Sequence, residues 1–400
     1  MEHNPRLDRL GDYAFTKLAG LLAPLQPKAN TTPIVMSVGD PMHQPPKFVA
    51  EVIAANAHLW SKYPPMVGIP AYRDAVAAWL TRRYALPEGM VLPERNILPV
   101  AGTKEGLFLI AQVAVPEKKA GKMPVVLLPN PYYMVYSGGG VMAGAEPYYL
   151  DATKETGFLP DLDAIPEEVL ARTAIFYLCS PSNPQGAIAS LDYLEKAIGM
   201  ARAYDFLLVI DECYAEIYDT APPPGGLEAA AAMGRDFANV IVSHTLSKRS
   251  SAAGLRIGFV AGDAEVIKRF AQLRSYGGCQ IPYPIQEAAT ALWREEEHVL
   301  ENRALYRSKI DVAERVLRGK YGFYRPPGGF FLWLEVGDGE AATVKLWREA
   351  GVRTLPGGYI ARKNIRGINP AERYIRLALV HDDATVAEGL ERVVRVLDGG

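Results

Sequence analysis

Lys248 stands in the segment Ser243-His-Thr-Leu-Ser-Lys-Arg-Ser-Ser-Ala-Ala-Gly-Leu-Arg-Ile-Gly258, among hydroxyls and small residues and ahead of a second arginine. A protonated lysine is a poor nucleophile in water. A neighbouring cation or partial loss of solvent lowers its pKa and makes it a Schiff-base former. The segment therefore suits a phosphorylated aldehyde, although taken alone it also fits a solvated surface lysine. Three other places bear on the choice. Asp211 falls at the carboxyl end of the apolar run Phe206 to Ile210, where ligands of open α/β sheets gather. A carboxylate there either caps a strand or pairs with a ring nitrogen and keeps it protonated. Ser180-Pro-Ser-Asn-Pro-Gln-Gly186 follows a short apolar strand and, on its own, reads as a turn. Arg376 lies inside the strand-like run Arg373-Tyr-Ile-Arg-Leu-Ala-Leu379. A charge there needs a partner, and a carboxylate fits its fork best.

These residues need a scaffold, and the chain between them alternates. Strands are expected at Val125 to Leu128, Pro147 to Leu150, Ala174 to Cys179, Phe206 to Ile210, Val240 to Ser243 and Ile257 to Ala261, with helices such as Leu191 to Tyr204 between several of them. Such alternation predicts a mainly parallel α/β sheet covered on both faces. Gly102-Thr-Lys-Glu-Gly106 opens a helix through Val115, and free N–H groups at a helix start suit a phosphate. Ser137-Gly-Gly-Gly140 lacks the lysine and serine of a phosphate loop and reads as a tight helix or turn. After a helical region from about Ile285 to Leu317 the rhythm changes to strands at Phe330 to Val336, Val352 to Leu355 and Tyr374 to Leu379, which marks a second, smaller α/β domain.

Four hundred residues, about half of them hydrophobic, can bury large cores, and a net charge of -2 gives no case for nucleic acid or an anionic membrane. Arg82 and Arg83 read as a solvated helix face. The start has no signal-peptide core and no apolar run approaches a membrane span, so a soluble cytoplasmic protein is expected. Three cysteines without a Cys-x-x-Cys pair and six scattered histidines give neither a disulfide framework nor a zinc site, and no metal is expected.

The chain resembles the fold-type I, pyridoxal-phosphate-dependent aminotransferases of class I/II over nearly its whole length. The lysine signature of that family stands here as Thr245, Lys248, Gly254, Arg256 and Gly258, and its Asn-Pro-Thr-Gly turn as Asn183-Pro-Gln-Gly186. Asn4-Pro-Arg-Leu-Asp8, Ser247-Lys-Arg-Ser250, Glu297 to Arg303 and Leu355 to Arg362 resemble the N-succinyldiaminopimelate aminotransferases of bacterial lysine synthesis, with departures at Ser251-Ala-Ala253 and Cys279-Gln-Ile-Pro282.

The resemblance implies an arm over residues 1–32, a large pyridoxal-phosphate domain with a seven-stranded sheet over 51–289, and a small domain over 33–50 and 290–400. It implies Lys248, Asp211 and Tyr214 as catalytic residues, with Lys248 the Schiff-base former and Asp211 on the pyridine nitrogen. Asn183 and Tyr214 would donate to the phenolic oxygen and Tyr133 would stack on the ring, although Tyr132-Tyr133-Met-Val-Tyr136 by itself looks like core packing. Thr103, Lys104, Thr245, Ser247 and Arg256 would hold the phosphate, and Tyr63 would reach the phosphate of the other subunit of a homodimer. Arg376, Asn183 and the Gly39 backbone would take the substrate carboxylate. Arg249 and Arg362 are the candidates for a distal carboxylate, each of which also fits a solvated or structural role. The activity implied is transfer of an amino group from glutamate to a succinylated or dicarboxylic keto acid. The alternatives are another amino-acid aminotransferase (aspartate, alanine or aromatic), a β-lyase sharing Lys248 and Asp211, and a non-catalytic regulatory protein. A fused DNA-binding segment would favour the last, and the short stretch before the fold leaves no room for one.

Overall fold

The computed structural model describes residues 1–234 and 236–399. Its strands are β1 (Ile34–Val35), β2 (Ile97–Val100), β3 (Val125–Asn130), β4 (Glu146–Asp151), β5 (Thr173–Cys179), β6 (Leu207–Asp211), β7 (Val240–Thr245), β8 (Gly258–Gly262), β9 (Phe331–Glu335), β10 (Val352–Arg353), β11 (Leu355–Pro356) and β12 (Tyr374–Ala378). Seven of them form one sheet in the order β2-β8-β7-β6-β5-β3-β4. From β4 to β7 the pairs are parallel, while β8 runs antiparallel to both β7 and β2. Every residue of β3, β5, β6 and β7 is buried. Runs without polar alternation are what a sheet covered by helices on both faces requires.

The register brings the site together. Asp211, last in β6, lies beside Cys179 of β5 and Ser243 of β7. The turn carrying Asn183 leaves β5 and the segment carrying Lys248 leaves β7 at the same edge, so residues far apart in the chain converge at the carboxyl ends of three adjacent strands. Two strands, β1 and β2, lie outside those expected, and β2 belongs to the large sheet. Pro99 interrupts its pattern, and a proline is tolerated because β2 is the edge of the sheet. The glycine run lies inside the helix Met134–Ala143. A Cβ at Gly139 would meet the Phe108 carbonyl oxygen at 2.7 Å, and one at Gly140 would meet Val126 at 2.8 Å. Those glycines let the helix pack closely against Phe108 and Val126.

A second core gathers Ile34, Met36, Ile310, Leu334, Val352, Leu377 and Val393. It is built on the antiparallel sheet β11-β12-β9, the short parallel pair of β1 and β10, and the helices around them. The boundaries expected at 50/51 and 289/290 fall inside the helices Phe48–Ala55 and Tyr283–Arg294, and Val49, Leu292 and Trp293 pack into the core of the large sheet. In the N-terminal arm, the helix Ala14–Leu22 buries Leu18 and Leu22 against Trp333, Leu355 and Ile360. Arg83 also departs from expectation: its guanidinium pairs with Glu216 at 2.7 Å and bonds the Ala215 and Pro223 carbonyls. No described helix is long and apolar enough to cross a membrane.

Candidate active site

A cavity of about 270 Å³ opens at the carboxyl ends of β5, β6 and β7. Of the residues singled out in the sequence, Lys248, Asp211, Tyr214, Asn183, Arg376 and Gly39 line it, as do Thr103, Lys104, Tyr133, Thr245, Ser247 and Arg256. Tyr63 does not. Its side chain is 94% exposed on the single chain.

Lys248 sits in the four-residue helix Leu246–Arg249, which Thr245 caps by accepting from the Ser247 N–H. The lysine Nζ donates to the Gly39 carbonyl at 2.6 Å. Burial pushes its amine below the usual lysine range, and Arg376 and Arg256 add to that against the pull of Cys213 and Asp40. A lysine easier to deprotonate is a better nucleophile and base. Asp211 is buried and accepts from the Tyr136 hydroxyl at 2.7 Å, the Ser243 hydroxyl at 3.3 Å and the Cys213 N–H at 3.3 Å. Burial raises its pKa while these donors, Tyr136 foremost, hold it down. A carboxylate with so little solvent is poised for a cationic partner. Neither Tyr136 nor Ser243 was foreseen. Tyr136 lies in the first turn of the helix Met134–Ala143, three residues after Tyr133, which precedes that helix in extended conformation.

At the other end of the cavity lies an anion cradle. The helix Thr103–Ala114 starts at Gly102, whose φ is +82°, and a Cβ there would come within 2.4 Å of the Arg256 guanidinium. Arg256 itself takes the left-handed conformation, φ +52° and ψ +49°, which costs a non-glycine residue about 1 kcal/mol or more. With a helix start, the Thr245 and Ser247 hydroxyls and a guanidinium lining one space, the cradle suits a phosphate. Tyr133 and Tyr214 line the same cavity. Tyr133 packs edge-on to Tyr136, and Tyr214 edge-on to Phe330 and Phe331.

Arg376 in β12 is buried, with Nη1 donating to Asn183 Oδ1 at 3.1 Å and Nη2 to the Ser37 carbonyl at 2.7 Å. Its Nε has no partner among the described residues, and burial lowers its pKa to about 10. A guanidinium this enclosed, lining a cavity and lacking a carboxylate, suits one.

A family model for aminotransferase class I and II matches residues 31–393. The chain belongs to the class I and II aminotransferases. It is 31% identical over 410 residues to an LL-diaminopimelate aminotransferase of Moorella thermoacetica, covering 99% of each chain. Among solved structures, an aminotransferase from Neisseria meningitidis superposes with a TM-score of 0.93 at 37% identity, covering 98% of this chain and 99% of that one. A probable N-succinyldiaminopimelate aminotransferase from Thermus thermophilus shares the fold, with a TM-score of 0.81 at 23% identity and coverage of 96% and 100%.

The cofactor of this family is pyridoxal 5′-phosphate, and the cavity fits it. The phosphate cradle, a carboxylate to pair with a ring nitrogen and a lysine are all present in one space. The distal candidates fare differently. Arg249 is not available to a substrate: it is buried, donates to Leu292 O and Glu296 Oε1 at 2.7 Å each, and covers the Trp293 ring. Arg362 lies behind Tyr132, with its backbone N–H held by Asn130. Two aromatic residues of the arm, Tyr13 and Phe15, line the cavity instead; nothing in their sequence context signalled it.

Proposed function

We propose that this aminotransferase exchanges an amino group between glutamate or 2-oxoglutarate and a long dicarboxylic amino acid of the diaminopimelate class. Pyridoxal phosphate supplies the electron sink for a carbanion at the substrate α-carbon. The residues of the chain do the rest. Asp211 pairs with the ring nitrogen and keeps it charged. Tyr214 and Asn183 donate to the phenolic oxygen, and Tyr133 covers the ring. Thr103, Thr245, Ser247, Arg256 and the Lys104 backbone anchor the phosphate. Lys248 Nζ moves the proton at the α-carbon, and the Gly39 carbonyl directs that amine. Arg376 takes the α-carboxylate, and the observation that carries the reading is that this buried guanidinium lines the cavity beside Asn183 with no carboxylate paired to it among the described residues.

The substrate class follows by allotment. Four cationic side chains line the cavity: Lys104, Lys248, Arg256 and Arg376. Phosphate, cofactor and α-carboxylate account for three, which leaves the Lys104 ammonium, 5.5 Å from the Tyr13 ring centroid, for a distal carboxylate. The diaminopimelate name of the relative in Moorella supports a diacid, and favours the free amino acid over the N-succinyl form that the sequence segments suggest. Tyr63, exposed on the single chain, supports a homodimer in which it reaches the phosphate of the other subunit.

The test is catalytic efficiency with LL-diaminopimelate, N-succinyl-LL-diaminopimelate, alanine, aspartate and phenylalanine, using 2-oxoglutarate as acceptor, in the wild type and Lys104→Met. A diaminopimelate-class substrate should lead, and the variant should lose about tenfold on it, the scale of one exposed charge-assisted contact, while alanine is unaffected. A wide lead for alanine, aspartate or phenylalanine rejects the substrate class and leaves the aminotransferase.

A further inference from the structure

Lys309 is 2% exposed, in the middle of the helix Glu297–Leu317, and no step described above uses it. Its ammonium meets Nε2 of His43, while Asp383 and Asp382 act on it only from a distance. The other ring nitrogen of His43 bonds Asn302 Oδ1 at 2.8 Å. Asn302, buried on the same helix, spends both amide hydrogens on backbone: Nδ2 donates to the carbonyl of Lys248 at 3.0 Å and to that of Arg249 at 3.1 Å. Those carbonyls end a four-residue helix, where no intrahelical donor exists for them.

Asn302 Nδ2 donates to two carbonyls, so Oδ1 accepts from His43 Nδ1–H, and Nε2 of the neutral ring accepts from the Lys309 amine, whose pKa burial lowers to about 8. The Ser251 hydroxyl gives Asn302 Oδ1 a second donor at 3.1 Å, and the amide has no capacity left over. Protonating His43 would set N–H against N–H and cation against cation. In keeping with this, burial lowers its pKa and Lys309 adds to the effect, against the pull of Asn302 and Asp383.

His43 is also four residues beyond Gly39, whose carbonyl receives the Lys248 amine. A second route runs through rings. His43 packs on Tyr306 at 4.6 Å between centroids, Tyr306 stacks on Phe330 at 4.9 Å, and Lys248 Nζ lies 5.3 Å from the Phe330 centroid. One imidazole thus stands on both lines that lead to the lysine, through its backbone and through the surface under its amine.

We propose that His43, Asn302 and Lys309 are positioning residues that hold the backbone of Lys248 and the Gly39 carbonyl in one fixed relation, through a one-directional hydrogen-bond chain. The inference rests on the reading of Lys248 as the cofactor lysine. It predicts that the chain sets turnover more than substrate affinity, because it touches neither cofactor nor substrate but fixes where the amine stands.

The experiment compares His43→Phe, which keeps a ring on Tyr306 but ends the chain, with His43→Gln, whose amide offers an acceptor to Lys309 and a donor to Asn302. Asn302→Ala is measured alongside. Steady-state kinetics of the cofactor-loaded protein are paired with amide hydrogen exchange of segments 37–43 and 246–252 in the cofactor-free protein. His43→Phe should lower kcat by about tenfold or more with little change in KM. It should speed exchange in both segments together, and His43→Gln should restore most of both. Unchanged exchange in segment 246–252 for His43→Phe and Asn302→Ala, or a Gln variant no better than Phe, overturns the chain. If the wild type fails to load pyridoxal phosphate, the reading of the site fails instead, and the exchange data still decide whether the chain couples the two segments.

Discussion

Tyr136→Phe isolates the strongest bond on Asp211. The hydroxyl donates to Asp211 Oδ2 at 2.7 Å, whereas Ser243 and the Cys213 N–H reach only Oδ1, at 3.3 Å. Removal leaves Oδ2 without a donor in a buried place. A hydrogen bond to a charged group contributes about 1.5 to 3 kcal/mol, and one pKa unit corresponds to about 1.4 kcal/mol, so the Asp211 carboxyl should rise by about one to two units. The change adds to a shift already upward from burial. The proposed pairing of Asp211 with the ring nitrogen needs the ionised form, so the acid limb of the kcat/KM profile should move to higher pH by that amount. Stability of the cofactor-free protein should follow the same linkage. A carboxyl whose folded pKa lies above its unfolded value, about 3.9, favours the fold below that value and loses this contribution as pH rises through the folded one. The variant should therefore lose more stability than the wild type between acid and neutral pH. Packing is a small term, because the ring keeps its stack on Tyr177, with centroids 4.8 Å apart and planes within 5°. pH–rate profiles and urea unfolding at several pH values read both effects. An acid limb that stays in place with full turnover would show that Tyr136 merely fills space.

Gly102→Ala should weaken cofactor binding strongly, since its Cβ would come within 2.4 Å of Arg256 at a φ of +82°; the dissociation constant for pyridoxal phosphate measures it, and unchanged binding would remove this loop from the phosphate site. For the proposed homodimer, mixing Tyr63→Phe with Lys248→Ala under conditions of subunit exchange should give more activity than the two parents combined, because some hybrids carry one site with both wild-type residues. No gain despite demonstrated exchange would place Tyr63 outside the partner's site.

What the sequence revealed about the fold came from long apolar runs. The strands β3, β5, β6, β7 and β8 are legible because a strand buried on both faces has no polar positions to hide its length. The edge strand β2 escaped notice because four residues with a proline carry no such signal, and a strand there is decided by β8 waiting beside it. The boundaries expected at 50/51 and 289/290 have no such signal either. Helices 48–55 and 283–294 pack against each other and into the large core, and which core claims a helix is a property of its partners, not of its own periodicity.

The site divides along the same line. Lys248, Asp211, Asn183, Arg256 and Arg376 belong to local patterns: a charge where a strand should be apolar, a turn after a strand, a lysine among hydroxyls. Tyr136, Ser243 and Asn302 act only on groups that tertiary structure brings to them, and each in its own segment is an ordinary buried polar residue. Arg249 shows the converse error. Adjacent to the lysine and charged, it invited a role in binding, yet on a helix the next residue points about 100° away, which turns Arg249 from the cavity into contact with Trp293 and Glu296. Sequence proximity to a reactive residue therefore predicts which backbone a side chain shares, and for a helical residue it argues against sharing the same pocket.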